Sequence, residues 1–139
     1  PNLTDDEWLW GGKLSDIETT ILHGIRWAQN NQSRTGEMLA FGRTGVLKKP
    51  EIEQVVDYVR SLAKLDVPKG ANIDAGKELY ATNCAACHGE AGKGNKELGA
   101  PDLTDTIWLY GSSRTAMIET VTNGRAGVMP AWTGRLDPV

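Results

Sequence analysis

A chain of 139 residues with 40% hydrophobic and 24% charged side chains is an ordinary globular mixture, long enough for one domain or two small ones. Its formal net charge of −3, from 15 basic and 18 acidic residues, excludes the basic footprint that nucleic acid requires. The apolar runs are only a few residues long, far short of the roughly 20 needed to cross a bilayer, and no charged n-region followed by an apolar h-region opens the sequence.

In chain order, residues 13–26 read as a short helix. Pro50 then suits the first turn of a second helix, in which Ile52, Val55, Val56, Val59 and Leu62 recur at helical spacing. Lys64 to Ala71, with Pro68 and Gly70, is the natural boundary between modules. Beyond it Asp74, with Ile73 as a possible staple, can cap a helix running through Leu79 and Tyr80 to the cysteines. Residues 112–123 form another short helix, and Asp137-Pro138 reads as the cap and first position of one more. No stretch alternates with period two for long, so the fold class is all-α.

The only two cysteines stand two residues apart in Cys84-Ala85-Ala86-Cys87-His88. A disulfide framework needs more pairs, and a zinc site needs a fourth ligand beside Cys84, Cys87 and His88. A thioredoxin-like pair follows a strand, whereas helix precedes Cys84. The histidine decides for covalent attachment of haem c, each thiol adding across one vinyl group and His88 falling under the iron.

Cytochromes c commonly use methionine as the sixth ligand. Met117, patterned with Ile118 and Val121, reads as core filler. Met129 lies in Gly127-Val128-Met129-Pro130-Ala131-Trp132, a loop able to present sulfur from the side opposite His88; its other reading is a buried loop hydrophobe. A ligating histidine normally donates its second ring N–H to a carbonyl, and Pro101 is a plausible source. Trp108, Tyr110 and Trp132 are candidate pocket walls with plain core packing as the alternative, and Arg125 either pairs with a propionate or is a solvated arginine. Lys93 and Lys96 read as a solvated loop rather than the rim of an exposed haem edge.

The sequence also repeats. Pro1-Asn2-Leu3-Thr4-Asp5 matches Pro101-Asp102-Leu103-Thr104-Asp105, Trp8-Leu9-Trp10-Gly11 matches Trp108-Leu109-Tyr110-Gly111, and Gly24 matches Gly124, all at an offset of 100. Nine extra residues then enter the first copy, and Met38-Leu39-Ala40-Phe41 matches Met129-Pro130-Ala131-Trp132. Met38 therefore holds the sixth-ligand position of a first module. Two modules are expected, 1–66 and 72–139, the first without its attachment helix and the second without its last helix. The expectation is an internal segment of a longer two-haem protein, with a vestigial first module as the rival. Modules this small bury little surface alone, and a covalently held haem would serve as their core.

The doubled Pro-[Asn/Asp]-Leu-Thr-Asp and Trp-Leu-[Trp/Tyr]-Gly strings, with Cys-Ala-Ala-Cys-His-Gly before the second copy and Asn123-Gly124-Arg125-Ala126-Gly127-Val128-Met129-Pro130-Ala131-Trp132 within it, resemble the dihaem cytochrome c subunit of cbb3-type cytochrome c oxidases. The resemblance implies tandem class I cytochrome c-like modules on the periplasmic side of the bacterial inner membrane, anchored by a transmembrane helix outside these residues. It implies electron delivery toward a haem–copper catalytic subunit through a monohaem cytochrome subunit. It assigns Cys84, Cys87, His88 and Met129 to the second haem and Met38 to the first. Alternatives are a soluble dihaem shuttle, the cytochrome subunit of a periplasmic dehydrogenase, and a haem enzyme or gas sensor. One covalent haem per chain is expected by intact mass or haemochrome spectrum, and none would overturn the reading of Cys84 and Cys87.

Overall fold

The computed structural model describes residues 2–136. Among them the secondary structure is helical, with α1 at Leu14–His23, α2 at Lys49–Leu62, α3 at Ile73–Asn83, α4 at Ala85–His88 and α5 at Arg114–Asn123, and only isolated bridges in place of strands. The all-α expectation therefore holds. No described helix is long and apolar enough to cross a membrane. The cap-and-proline signal at Asp137-Pro138 lies outside the described residues.

Helix boundaries follow local chemistry. In α2 Pro50 occupies the first turn, and the Glu51 carboxylate accepts the Lys48 N–H at 2.7 Å. The cap of α3 is Asn72 and not Asp74, a correction to the sequence reading. The Asn72 side-chain oxygen accepts the Ala75 N–H at 3.1 Å from a non-helical backbone, which leaves Asp74 in the first turn, where its charge opposes the positive helix end. Likewise α5 begins at Arg114 because Ser113 is extended and its hydroxyl accepts from Ala116. α1 stops at His23 because Gly24 turns to φ +73°.

The core lies between α2, α3 and α5. Ile52, Val55 and Val56, spaced on one face of α2, are buried with Tyr80 of α3 and Met117 of α5, and full burial of each such aliphatic side chain contributes roughly 1.5–3 kcal/mol. Met117 is thus core filler, as its pattern suggested. Gly76 sets the crossing of α3 on α2, since a Cβ there would lie 2.2 Å from the Gln54 carbonyl oxygen and 2.9 Å from Tyr58 Cβ. The rings of Tyr58 and Tyr80 meet beside it at 5.3 Å. Arg114 at the start of α5 grips the buried Asp57 of α2 with two bonds, 2.7 and 3.0 Å long. The core consequently runs across the helix-free segment 63–72, because α2 covers the helix that leads to the cysteines.

Gly76→Ala should lower unfolding free energy by about 1–3 kcal/mol in denaturant titration, the usual range for overpacking. An unchanged midpoint would count against the close crossing.

Candidate functional site

α3 delivers Cys84 directly from the core. Cys84 caps the helix with its N–H donating to the Tyr80 carbonyl at 2.8 Å, and a single turn, α4, then carries Cys87 and His88. That turn is fixed by bonds from the N–H groups of Cys87 and His88 to the Cys84 carbonyl, at 3.1 and 2.9 Å. The buried Tyr80 hydroxyl donates to the Gly89 carbonyl at 2.8 Å and pins the end of the turn to α3. Neither thiol is in a disulfide; Cys87 is exposed, while burial first and Cys87 second push the Cys84 thiol up to about 11.

His88 Nδ1 donates to the Pro101 carbonyl at 3.1 Å. Burial lowers the ring's pKa against the opposing pull of that bond. A neutral ring with its proton on Nδ1 leaves the Nε2 lone pair to serve as a ligand. Pro101 reaches this place because the intervening loop folds back: Gly94 N–H donates to the His88 carbonyl at 2.8 Å, Asn95 and Ala100 exchange bonds of 2.8 and 3.0 Å, and Leu103 N–H donates to Gly92 at 2.7 Å. Lys93 is solvated, as expected, with its ammonium 3.3 Å from Asp102.

The donor set discriminates among the groups it could hold. Among the described residues no group of three or more His, Cys, Asp or Glu side chains is placed to hold a metal ion. Trp108 packs against the core, and its indole Nε1 is buried without a hydrogen-bond partner, a donor that fits a carboxylate such as a haem propionate. Tyr110 is exposed, with the Arg125 guanidinium 4.0 Å above its ring; Arg125 also donates to the Thr120 hydroxyl through Nε at 3.1 Å and Nη2 at 2.9 Å. Trp132 is partly exposed, and its N–H donates to the Ile21 carbonyl of α1 at 3.0 Å.

The repeat reappears in three dimensions. α1 and α5 occupy residues at the same offset of 100, and Gly24 and Gly124 end them at φ +73° and +70°. Asn2 and Asp102 each accept from the N–H and hydroxyl of a threonine two residues on. The two methionine loops, however, pair crosswise. Ile25 and Met129 exchange two backbone bonds of 2.9 Å, and Met38 and Arg125 exchange two more of the same length. A Cβ on Gly24 would lie 2.4 Å from the Met129 carbonyl oxygen, and one on Gly124 would lie 2.4 Å from that of Met38. Both methionines are half-buried. Gly24 and Gly124 are legible in the sequence as matched positions, whereas no local pattern announces their role, the Tyr80 bond or the crosswise pairing.

The family described as cytochrome c oxidase, cbb3-type, subunit III matches residues 71–139. The chain is 58% identical to the cbb3-type cytochrome c oxidase subunit FixP of Bradyrhizobium sp. (strain ORS 278), over 99% of this chain and 47% of that protein. It is 53% identical to FixP of Azorhizobium caulinodans, over 99% of this chain and 46% of that protein. To the subunit CcoP of Cereibacter sphaeroides it is 49% identical, over 98% of this chain and 47% of that protein. The chain thus spans about half the length of the curated relatives it matches.

Tyr80→Phe should cost about 1 kcal/mol at neutral pH by removing the bond to Gly89. Burial first, with Cys84, Tyr58 and Asp102 adding to it, raises the Tyr80 hydroxyl from 10.0 to about 12. A folded-state pKa above the unfolded one gives stability that is present below pH 10 and lost as pH rises through about 12. The stability gap between parent and variant should therefore narrow across that window in denaturant titrations at fixed pH.

Proposed function

Because the chain belongs to the family of subunit III of cbb3-type cytochrome c oxidases, we propose that it passes single electrons through covalently bound haem c within such an oxidase. The observation that carries this reading is the His88 ring, bonded through Nδ1 to Pro101 at 3.1 Å beside two thiols on one helical turn. The haem supplies the reversible one-electron change at iron. Cys84 and Cys87 would hold it, His88 Nε2 would ligate it, and the Pro101 carbonyl fixes the ring's tautomer and orientation. Trp108 Nε1 would offer a donor to a propionate, and Arg125, Tyr110 and Trp132 would form the polar rim of the haem site.

By the register of the repeat, Met129 would ligate the iron of this haem together with His88. Ligation by both histidine and methionine would suit the haem to electron transfer, and methionine ligation would raise its potential. We read the chain as two tandem cytochrome c-like modules, 1–66 and 72–139. Met38 is then the distal ligand of a first haem. In the whole protein the haems would lie on the periplasmic side of the inner membrane. Electrons would arrive from a donor cytochrome or membrane redox complex and leave through a monohaem cytochrome subunit toward the haem–copper catalytic subunit.

Packing favours a second assignment of the ligand. The Met38 loop leads into α2, which covers the helix before the cysteines, and Met38 pairs with Arg125 of the module that bears the cysteines. Met38 would then face the same haem as His88.

Met129→Ala should abolish the methionine-to-iron absorption band, lower the reduction potential and let the reduced protein bind carbon monoxide, while Met38→Ala leaves the haem on Cys84 and Cys87 unchanged. The opposite pattern would transfer the role to Met38. Two unaltered spectra would overturn methionine ligation.

A further inference from the structure

We infer that Arg26, in the first repeat, is a positioning residue for methionine ligation at the haem held by the second, because its guanidinium ties the two methionine loops to each other. Its Nε donates to the Gly127 carbonyl at 2.6 Å, and its Nη1 donates to the carbonyl of Gly36. Gly36 precedes Met38 by two residues, and Gly127 precedes Met129 by two, so the fork grips equivalent carbonyls of the two loops. The repeat partner of Arg26 is Ala126, and one guanidinium therefore serves both loops.

Neighbouring backbone supports the same role. Ile25, directly before Arg26, uses both its N–H and its carbonyl on Met129. Gly24 admits the Met129 carbonyl where a Cβ would stand 2.4 Å away. Arg26 itself sits at φ +52°, a left-handed conformation that a non-glycine residue holds only when its surroundings enforce it. Its N–H donates to the Arg34 carbonyl at 2.6 Å, which supplies part of that enforcement. A sulfur ligand on a loop stays on its metal only as firmly as the loop's backbone is held. Bonds from a charged fork are roughly twice as strong as neutral ones, and a lysine, with a point charge, cannot reproduce the planar two-carbonyl grip.

The inference rests on methionine being the sixth ligand, and the test separates the two. In the haem-loaded protein, Arg26→Ala should raise the fraction of reduced protein open to carbon monoxide about tenfold, the loss expected when one charged hydrogen bond to the loop is removed, and should weaken the methionine-to-iron band. Arg26→Lys should act in the same direction with a smaller effect, and it carries the test if the alanine variant does not fold. Full restoration by lysine would assign the effect to charge and overturn the positioning role. An unaltered band and carbon monoxide response in Arg26→Ala, beside a Met129→Ala or Met38→Ala variant that opens the site, would overturn the inference and leave methionine ligation standing. If neither methionine variant opens the site, both fall.

Discussion

At Gly76 the backbone of α3 lies against the Gln54 carbonyl of α2, and the segment that carries Cys84, Cys87 and His88 takes its position from that close approach. A side chain there would push the helices apart, and Tyr80, one turn on, would lose its place beside Tyr58. Tyr80 in turn fixes the far end of the cysteine turn through Gly89. Cys84 thus leaves a packed helix, and His88 is caught between that helix and the Pro101 loop. The placement of the two thiols and the ring combines that upstream backbone contact with the bonds from Cys87 and His88 to the Cys84 carbonyl within the turn.

The same dependence explains which features were legible in the sequence. The chemistry of Cys84-Ala85-Ala86-Cys87-His88 is local, so the motif declared itself. The carbonyl of Pro101 was also readable, because a proline thirteen residues on can spend no N–H and sets a rigid turn. The face of α2 was legible from its period, and Pro50 from its position. Asp74 was misjudged as a cap because Asn72, two residues earlier, has an equally suitable side chain, and only the backbone angles decide between them. That α2 would cover α3 across 63–72 was not legible, since an amphipathic face does not say which neighbour it meets. The repeat established equivalence between loops but carried no information on whether each loop pairs within its own copy or with the other.

That pairing changes the meaning of the repeat. Two copies joined end to end would need only a linker between them. Here the residue after Gly24 is bonded to the methionine of the second copy, and the residue after Gly124 to the methionine of the first. The two methionine loops are thereby parts of one main-chain arrangement, with Arg26 across it. A disturbance at one loop has a covalent and hydrogen-bonded route to the other that is only a few residues long.

The bonds between Ile25 and Met129 and between Met38 and Arg125 are made entirely by peptide groups. Besides those peptide groups, the junction demands only the two glycines that let the chains approach and the Arg26 fork. The two halves can therefore drift apart in composition, as Met38-Leu39-Ala40-Phe41 and Met129-Pro130-Ala131-Trp132 have done, without uncoupling. Each half can then differ in polarity and aromatic lining while the joint that makes them one object stays the same.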